Sequence, residues 1–200
     1  MQGSHSNAAK KADGPPPANE SFHVQMAASI LRWGGVVAHA TEGVWGLACD
    51  PFDLGAVARV LDLKGRSVSK GLIVIGADAD DFADELAKLN EVDEARVRKS
   101  WPGANTWLVP NERFPHWITG GRETVAVRVP AHRQARRLCA TFGGPLVSTS
   151  ANPSGRPASR SELTVRRYFS GGVDFVLHGS TGGNASPSEI RDAASGARFR

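Results

Sequence analysis

Short β-branched and apolar runs alternate with helix-periodic segments along nearly the whole chain, and this alternation constrains the fold more than any other feature. Leu72 to Ile75 is a compact apolar run between Gly71 and Gly76, which reads as a central strand. Val36 to His39, Val44 to Ala48, Thr106 to Val109, Thr124 to Val129, Leu146 to Ser148, Asp174 to Leu177 and Glu189 to Asp192 read as further strands. Between them, apolar spacing predicts helices from Ser21, as N-cap, to Trp33, then over Leu54 to Leu63, Asp78 to Leu89, Val92 to Ser100, His132 to Phe142 and Glu162 to Phe169. Such a pattern predicts an α/β fold, a single domain with a twisted mixed sheet flanked by helices. The first residues stand apart: Met1 to Glu20 holds Pro15-Pro16-Pro17 and little to bury, so residues 1–20 are expected to be a disordered tail, native or appended, and 21–200 the folded domain.

Two hundred residues, 40% of them apolar, suffice for one ordinary core and not for two full domains. No apolar stretch is long enough to cross a bilayer and no secretory h-region follows Met1, so a cytoplasmic protein without membrane contact is expected. Cys49 and Cys139 lie far apart with no metal-ligand spacing, which points to two buried, reduced thiols. The net charge of +4 is modest for a dedicated nucleic-acid binder and fits a local basic cleft that takes an anion.

Several segments could form that cleft. Lys64-Gly65-Arg66-Ser67-Val68-Ser69-Lys70-Gly71 sets three cations and two close-approach glycines between a helix end and a strand. It is either a phosphate-binding loop, with Arg66 as a planar fork and Lys64 and Lys70 as point charges, or a solvated helix terminus. Ser148-Thr149-Ser150-Ala151-Asn152 follows the strand Leu146-Val147, where ligands of open α/β sheets collect; its hydroxyls could donate to an anion or merely serve a turn. Thr41-Glu42 could recognise a polar substrate, with Trp45 as a pocket wall or a core residue. Arg128 interrupts Val125-Ala126-Val127-Arg128-Val129 on the face opposite the valines, so it meets solvent or a polar cleft. Thr181-Gly182-Gly183 and Pro187-Ser188-Glu189-Ile190-Arg191-Asp192 could close the pocket or form a hairpin with a surface ion pair. No HExxH, GxSxG or Walker motif occurs.

In order and spacing these segments resemble the YrdC-like family in its short TsaC type, over almost the whole chain after Glu20. Trp101-Pro102-Gly103 belongs to the same set. The resemblance implies a concave basic cleft and the synthesis of threonylcarbamoyl-AMP and pyrophosphate from L-threonine, bicarbonate and ATP, for threonylcarbamoyladenosine formation in tRNA. It implies Mg²⁺ bound mainly through the ATP phosphates, and product handed to a transferase complex of the TsaB, TsaD and TsaE type, with weak tRNA binding as a further partner. Carried over residue by residue, Thr41 falls at the threonine end. Lys64 and Arg66 become catalytic groups that, with Lys70, hold carboxylate and triphosphate, and Ser148, Ser150 and Asn152 bind nucleotide and phosphates. Arg128 and Ser188 complete the set. The family's usual Tyr-Pro before Thr-Glu is His39-Ala40 here, and Gly71 stands where many relatives have proline.

The implied chemistry fits the lack of a catalytic triad, because a carbamate is already an anionic nucleophile and needs alignment and charge neutralisation. Two alternatives share the fold: carbamoyl-adenylate formation from carbamoyl phosphate, as in hydrogenase-maturation proteins, and double-stranded RNA binding in the same cleft. The first occurs in much larger chains, and the second lacks RNA-binding signatures and basic, aromatic-interleaved runs.

Overall fold

A computed structural model of the chain describes residues 18–183 and 188–199. Eight strands form one mixed sheet in the order β7-β1-β2-β6-β3-β5-β4-β8. They are β1 (Val37–Ala40), β2 (Trp45–Cys49), β3 (Ile73–Ile75), β4 (Asn105–Pro110), β5 (Thr124–Arg128), β6 (Leu146–Ser150), β7 (Phe175–Val176) and β8 (Glu189–Asp192). The helices are α1 (Ala18–Arg32), α2 (Leu54–Lys64), α3 (Ala83–Leu86), α4 (Glu91–Lys99), α5 (His116–Thr119), α6 (Arg133–Phe142) and α7 (Glu162–Tyr168). The pairs β1–β7, β3–β5 and β4–β8 are parallel, and the remaining neighbours are antiparallel. A mixed sheet is therefore observed, as the strand pattern predicts.

The two faces are covered unequally, and this inequality creates the site. On one face Trp45, Leu47, Val74, Trp107, Val125, Val127 and Val147 pack with Ala56, Val57 and Val60 of α2, Leu86 of α3, Val97 of α4 and Val165 of α7. On the other, Val24, Ala27, Ala28 and Leu31 of α1 and Leu138 and Cys139 of α6 cover only Val37, Ala48, Ile75, Leu146 and their neighbours. Strand alternation carries the rest of that face past the helices. In β5, Val125 and Val127 are buried while Thr124, Ala126 and Arg128 face the uncovered side. Both cysteines are free and buried, and burial pushes both thiols far above their ordinary range, which agrees with inert core thiols.

Some local expectations need correction. The first helix starts by Ala18, so residues 18–20 belong to it rather than to the tail, and residues 1–17 lie outside the described residues. Ser21 is consequently inside the helix, where its Oγ accepts from Arg137 Nη2 at 3.3 Å. The expected helix Asp78 to Leu89 divides into a 3₁₀ turn (Ala79–Phe82) and α3. Asp78 caps the turn at Asp80 N, the Asp81 carboxylate accepts from Ala77 N at 2.6 Å, and Phe82 leaves helical geometry at φ −125°. α5, unforeseen, follows Pro115 and ends at Gly120 in the left-handed region.

Candidate active site

The uncovered face is a cavity of about 680 Å³ floored by β3, β5 and β4 and walled on three sides. The first wall is the cationic loop. Asp53 caps α2 by accepting from Ala56 N, and Gly65 ends the helix at φ 57°. Ser67 caps the 3₁₀ turn Val68–Lys70, and Gly71, at φ 65°, turns the chain into β3. Arg66 Nη2 donates to Gly71 O at 3.0 Å, which folds the loop over its own guanidinium, and Arg66 and Lys70 both line the cavity. α5 braces the loop, since Leu72 N donates to Ile118 O at 2.8 Å, and its Ile118 and Thr119 also line the cavity. Arg122, another lining residue, ties the two by donating to Thr119 O at 3.0 Å and Ser69 O at 2.9 Å.

The second wall is Thr41 to Trp45. Thr41 Oγ1 donates to Val44 O at 2.7 Å, closing a tight turn that presents Glu42 inward. Glu42 Oε1 takes the Arg128 guanidinium at 2.5 Å and the amide of Ala131 at 2.6 Å, while Arg128 Nε donates to Gly103 O at 2.9 Å. Burial pulls the Arg128 value below its ordinary one, and the facing Glu42 charge opposes that pull. The cation is thus held in place on two sides by the protein's own groups. Trp45 contributes to the wall, but its side chain is buried in the core of the opposite face.

The third wall is the end of β6 and β8. Ser148, Thr149 and Ser150 line the cavity, as do Ser188, Ile190 and Asp192. Thr106 Oγ1 donates to Ser188 Oγ at 3.0 Å, and Asp192 Oδ1 accepts from Ser195 N and Oγ, bonds that hold its carboxyl below the usual range. Arg191 points elsewhere, pairing with Glu189 at 2.7 Å, and Gly182 N donates to Thr41 O behind the second wall. Pro187 lies outside the described residues.

Seven of the nine sequence-predicted site residues therefore share one cavity: Thr41, Arg66, Lys70, Arg128, Ser148, Ser150 and Ser188. Lys64 and Asn152 do not line it. The Lys64 ammonium donates to Ser150 O and, at 2.9 Å, to Asn152 O, and Lys64 O accepts from Ser154 N. Asn152 Nδ2 donates to Arg156 O at 2.7 Å and Pro153 O at 3.2 Å. The reason is geometric: Lys64 ends α2 on the covered side of the sheet, so it meets the serine turn from behind and braces it. Burial first, and the Arg66 charge second, pull the Lys64 ammonium down to about 8. Arg122 and the Glu42–Arg128 pair were not foreseen. The only signal for Arg122 is its place after Gly120-Gly121, and nothing local marks a contact between residues as distant as 42 and 128.

A family model for Sua5/YciO/YrdC, described as telomere recombination, matches residues 29–199. The chain belongs to this family. Relatives within it include the threonylcarbamoyl-AMP synthases of Halorhodospira halophila, 51% identical over 92% of this chain and 97% of the relative, and of Pseudomonas savastanoi pv. phaseolicola, 51% identical over 90% and 97%. Among solved structures, P. abyssi Sua5 complexed with L-threonine superposes with a TM-score of 0.79 at 34% identity, covering 84% of this chain and 50% of that one. E. coli YciO, at 20% identity over 94% of this chain and 89% of its own, shares the fold with a TM-score of 0.79. No helix of the described residues is long and apolar enough to cross a membrane.

Proposed function

We propose that this chain is a threonylcarbamoyl-AMP synthase, joining L-threonine, bicarbonate and ATP into threonylcarbamoyl-adenylate and pyrophosphate for tRNA modification. One observation carries the reading: Arg66, Lys70, Arg122 and Arg128 converge on a single cavity, opposed among the described residues by Glu42 and Asp192, in a chain about half identical along its length to synthases of that name. That excess of cations supports the reading of a basic cleft, which would suit a triphosphate beside a carboxylate.

The reaction asks little of a general base. The carbamate formed from threonine and bicarbonate is anionic, and its oxygen attacks the α-phosphorus while pyrophosphate leaves. Arg66, Lys70 and Arg122 neutralise the triphosphate, and Arg128, anchored by Glu42 and Gly103, offers a fixed cation to charge that develops during transfer. Lys64, from its position behind the turn, supports Ser150 rather than touching substrate. The described residues contain no group of three or more His, Cys, Asp or Glu that could cage a metal, and Glu42 and Asp192 are already engaged. The donor set therefore fits Mg²⁺ only as a companion of the ATP phosphates, where it supplies charge neutralisation. Thr41 stands at the proposed threonine end, and transfer of the product to a TsaB, TsaD and TsaE type complex belongs to the same reading.

Incubation with ATP, Mg²⁺, bicarbonate and threonine, followed by mass spectrometry, should reveal threonylcarbamoyl-AMP, and Arg66→Ala should lower its rate by about a hundredfold or more. Product from carbamoyl phosphate instead of threonine and bicarbonate, or salt-dependent RNA binding with no adenylate, would overturn the assignment.

A further inference from the structure

His39 is fully buried in β1, directly behind Ser148 and Gly46 of the cavity wall. Its Nδ1 lies 3.1 Å from Ala40 O and its Nε2 3.1 Å from Ser148 Oγ. A carbonyl oxygen can only accept, so Nδ1 carries the ring proton. A neutral imidazole has one N–H, which leaves Nε2 bare, and the Ser148 hydroxyl donates to it. Burial, with the nearby His132 charge second, pulls the imidazole down to about 4, so the ring stays neutral near pH 7. Gly46 makes the contact possible: a Cβ there would stand 3.0 Å from Ser148 Oγ and 3.1 Å from His39 Nε2.

A hydroxyl has a single proton. Once that proton is given to His39, Ser148 shows the cavity lone pairs alone, and a phosphate oxygen has nothing to offer them. We infer that His39 is a positioning residue that fixes Ser148 as an acceptor, so that Ser148 reads an N–H or O–H of the amino acid or nucleoside and does not bind phosphate. This reverses the donor role expected for Ser148 from its place in a hydroxyl-rich turn. The ligands rest on the proposed function, whereas the polarity of Ser148 rests only on the histidine and its two neighbours.

The tautomer is read first, by two-bond ¹H–¹⁵N NMR of the wild-type imidazoles at pH 7. A pyrrole-type Nδ1 and a pyridine-type Nε2 are expected at His39, and the opposite assignment overturns the inference, whatever the enzyme makes. Calorimetric titration of wild type, Ser148→Ala, His39→Phe and the double variant then uses three probes: inorganic tripolyphosphate, L-threonine and adenosine. Ser148→Ala should weaken threonine or adenosine by about fivefold or more, the worth of one hydrogen bond, and the affected probe identifies the donor. Tripolyphosphate affinity should stay within about twofold. His39→Phe should weaken the same probe, with no further loss when combined with Ser148→Ala. Loss of tripolyphosphate affinity in Ser148→Ala, no change with either of the other probes, or multiplying effects in the double variant would each overturn it. Should His39→Phe fail to fold, the NMR assignment and the Ser148→Ala titrations still decide.

Discussion

Replacing Lys64 by methionine, and then by alanine, separates the two things this side chain does. Its ammonium donates to the carbonyls of Ser150 and Asn152, while its stem lies almost wholly buried at 4% exposure. A hydrogen bond to a charged group contributes ~1.5–3 kcal/mol, but Ser150 is exposed and Asn152 half-buried. Water therefore recovers part of the bonding, and losing both contacts should cost ~2 kcal/mol. Methionine preserves most of the stem. Alanine removes about three methylenes at ~0.8 kcal/mol each, so its total loss should reach ~4 kcal/mol. Urea unfolding should report these values with an unchanged m. The titration of Lys64 adds a second signature. Its folded value of about 8 lies below the ~10.4 of an unfolded lysine, so the unfolded chain holds the proton more tightly. Stability from this group is then lowest below pH ~8 and rises as pH climbs toward ~10.4, a rise that Lys64→Met should lack. A methionine variant that unfolds like wild type, with the same pH profile, yet loses adenylate formation as deeply as Arg66→Ala would refute the bracing role. The ammonium would then have to reach substrate.

Glu42→Ala should cost ~3–5 kcal/mol in chemical unfolding, because it strands the Arg128 guanidinium at 11% exposure. Gly71→Ala should cost ~1–2 kcal/mol for a Cβ at positive φ, and should weaken ATP binding, since that Cβ would stand 3.1 Å from Arg122 Nη1. Burial alone would raise the Asp174 carboxyl, but the Arg59 guanidinium and Val36 amide hold it below the usual carboxylate range. Its stabilisation is present above pH ~4 and disappears as pH falls through the lowered value. Acid titration followed by circular dichroism should therefore show a shallower loss of stability in Asp174→Asn.

The local pattern of residues carries the strands and most helices, because side-chain period and caps act within a few positions. β5 shows how far this reaches: alternation alone sets Arg128 opposite the valines, and the cavity is on that side. Lys64 shows where it stops. Its loop reads as three cations facing one anion, yet α2 delivers the first of them to the back of the sheet, and only the packing of α2 on β2 decides that. The Glu42–Arg128 contact and the strand order are likewise long-range outcomes, without a local mark. Between residues 78 and 89, helical spacing was overruled by aspartates that bond their own backbone.

The two outer strands have a consequence for how the protein is assembled. β7 closes one edge of the sheet against β1 and β8 the opposite edge against β4. Ser188, Ile190, Asp192 and Phe199 all line the cavity, and all belong to β8 or its flanks. As an edge strand β8 docks on β4 and can add only once β4 is in place, so the cavity wall should be the last part to form during folding. Pulse-labelling hydrogen exchange would then find β8 amides protected after those of β2, β6 and β3. A protein caught before that step would have most of its core and no finished site.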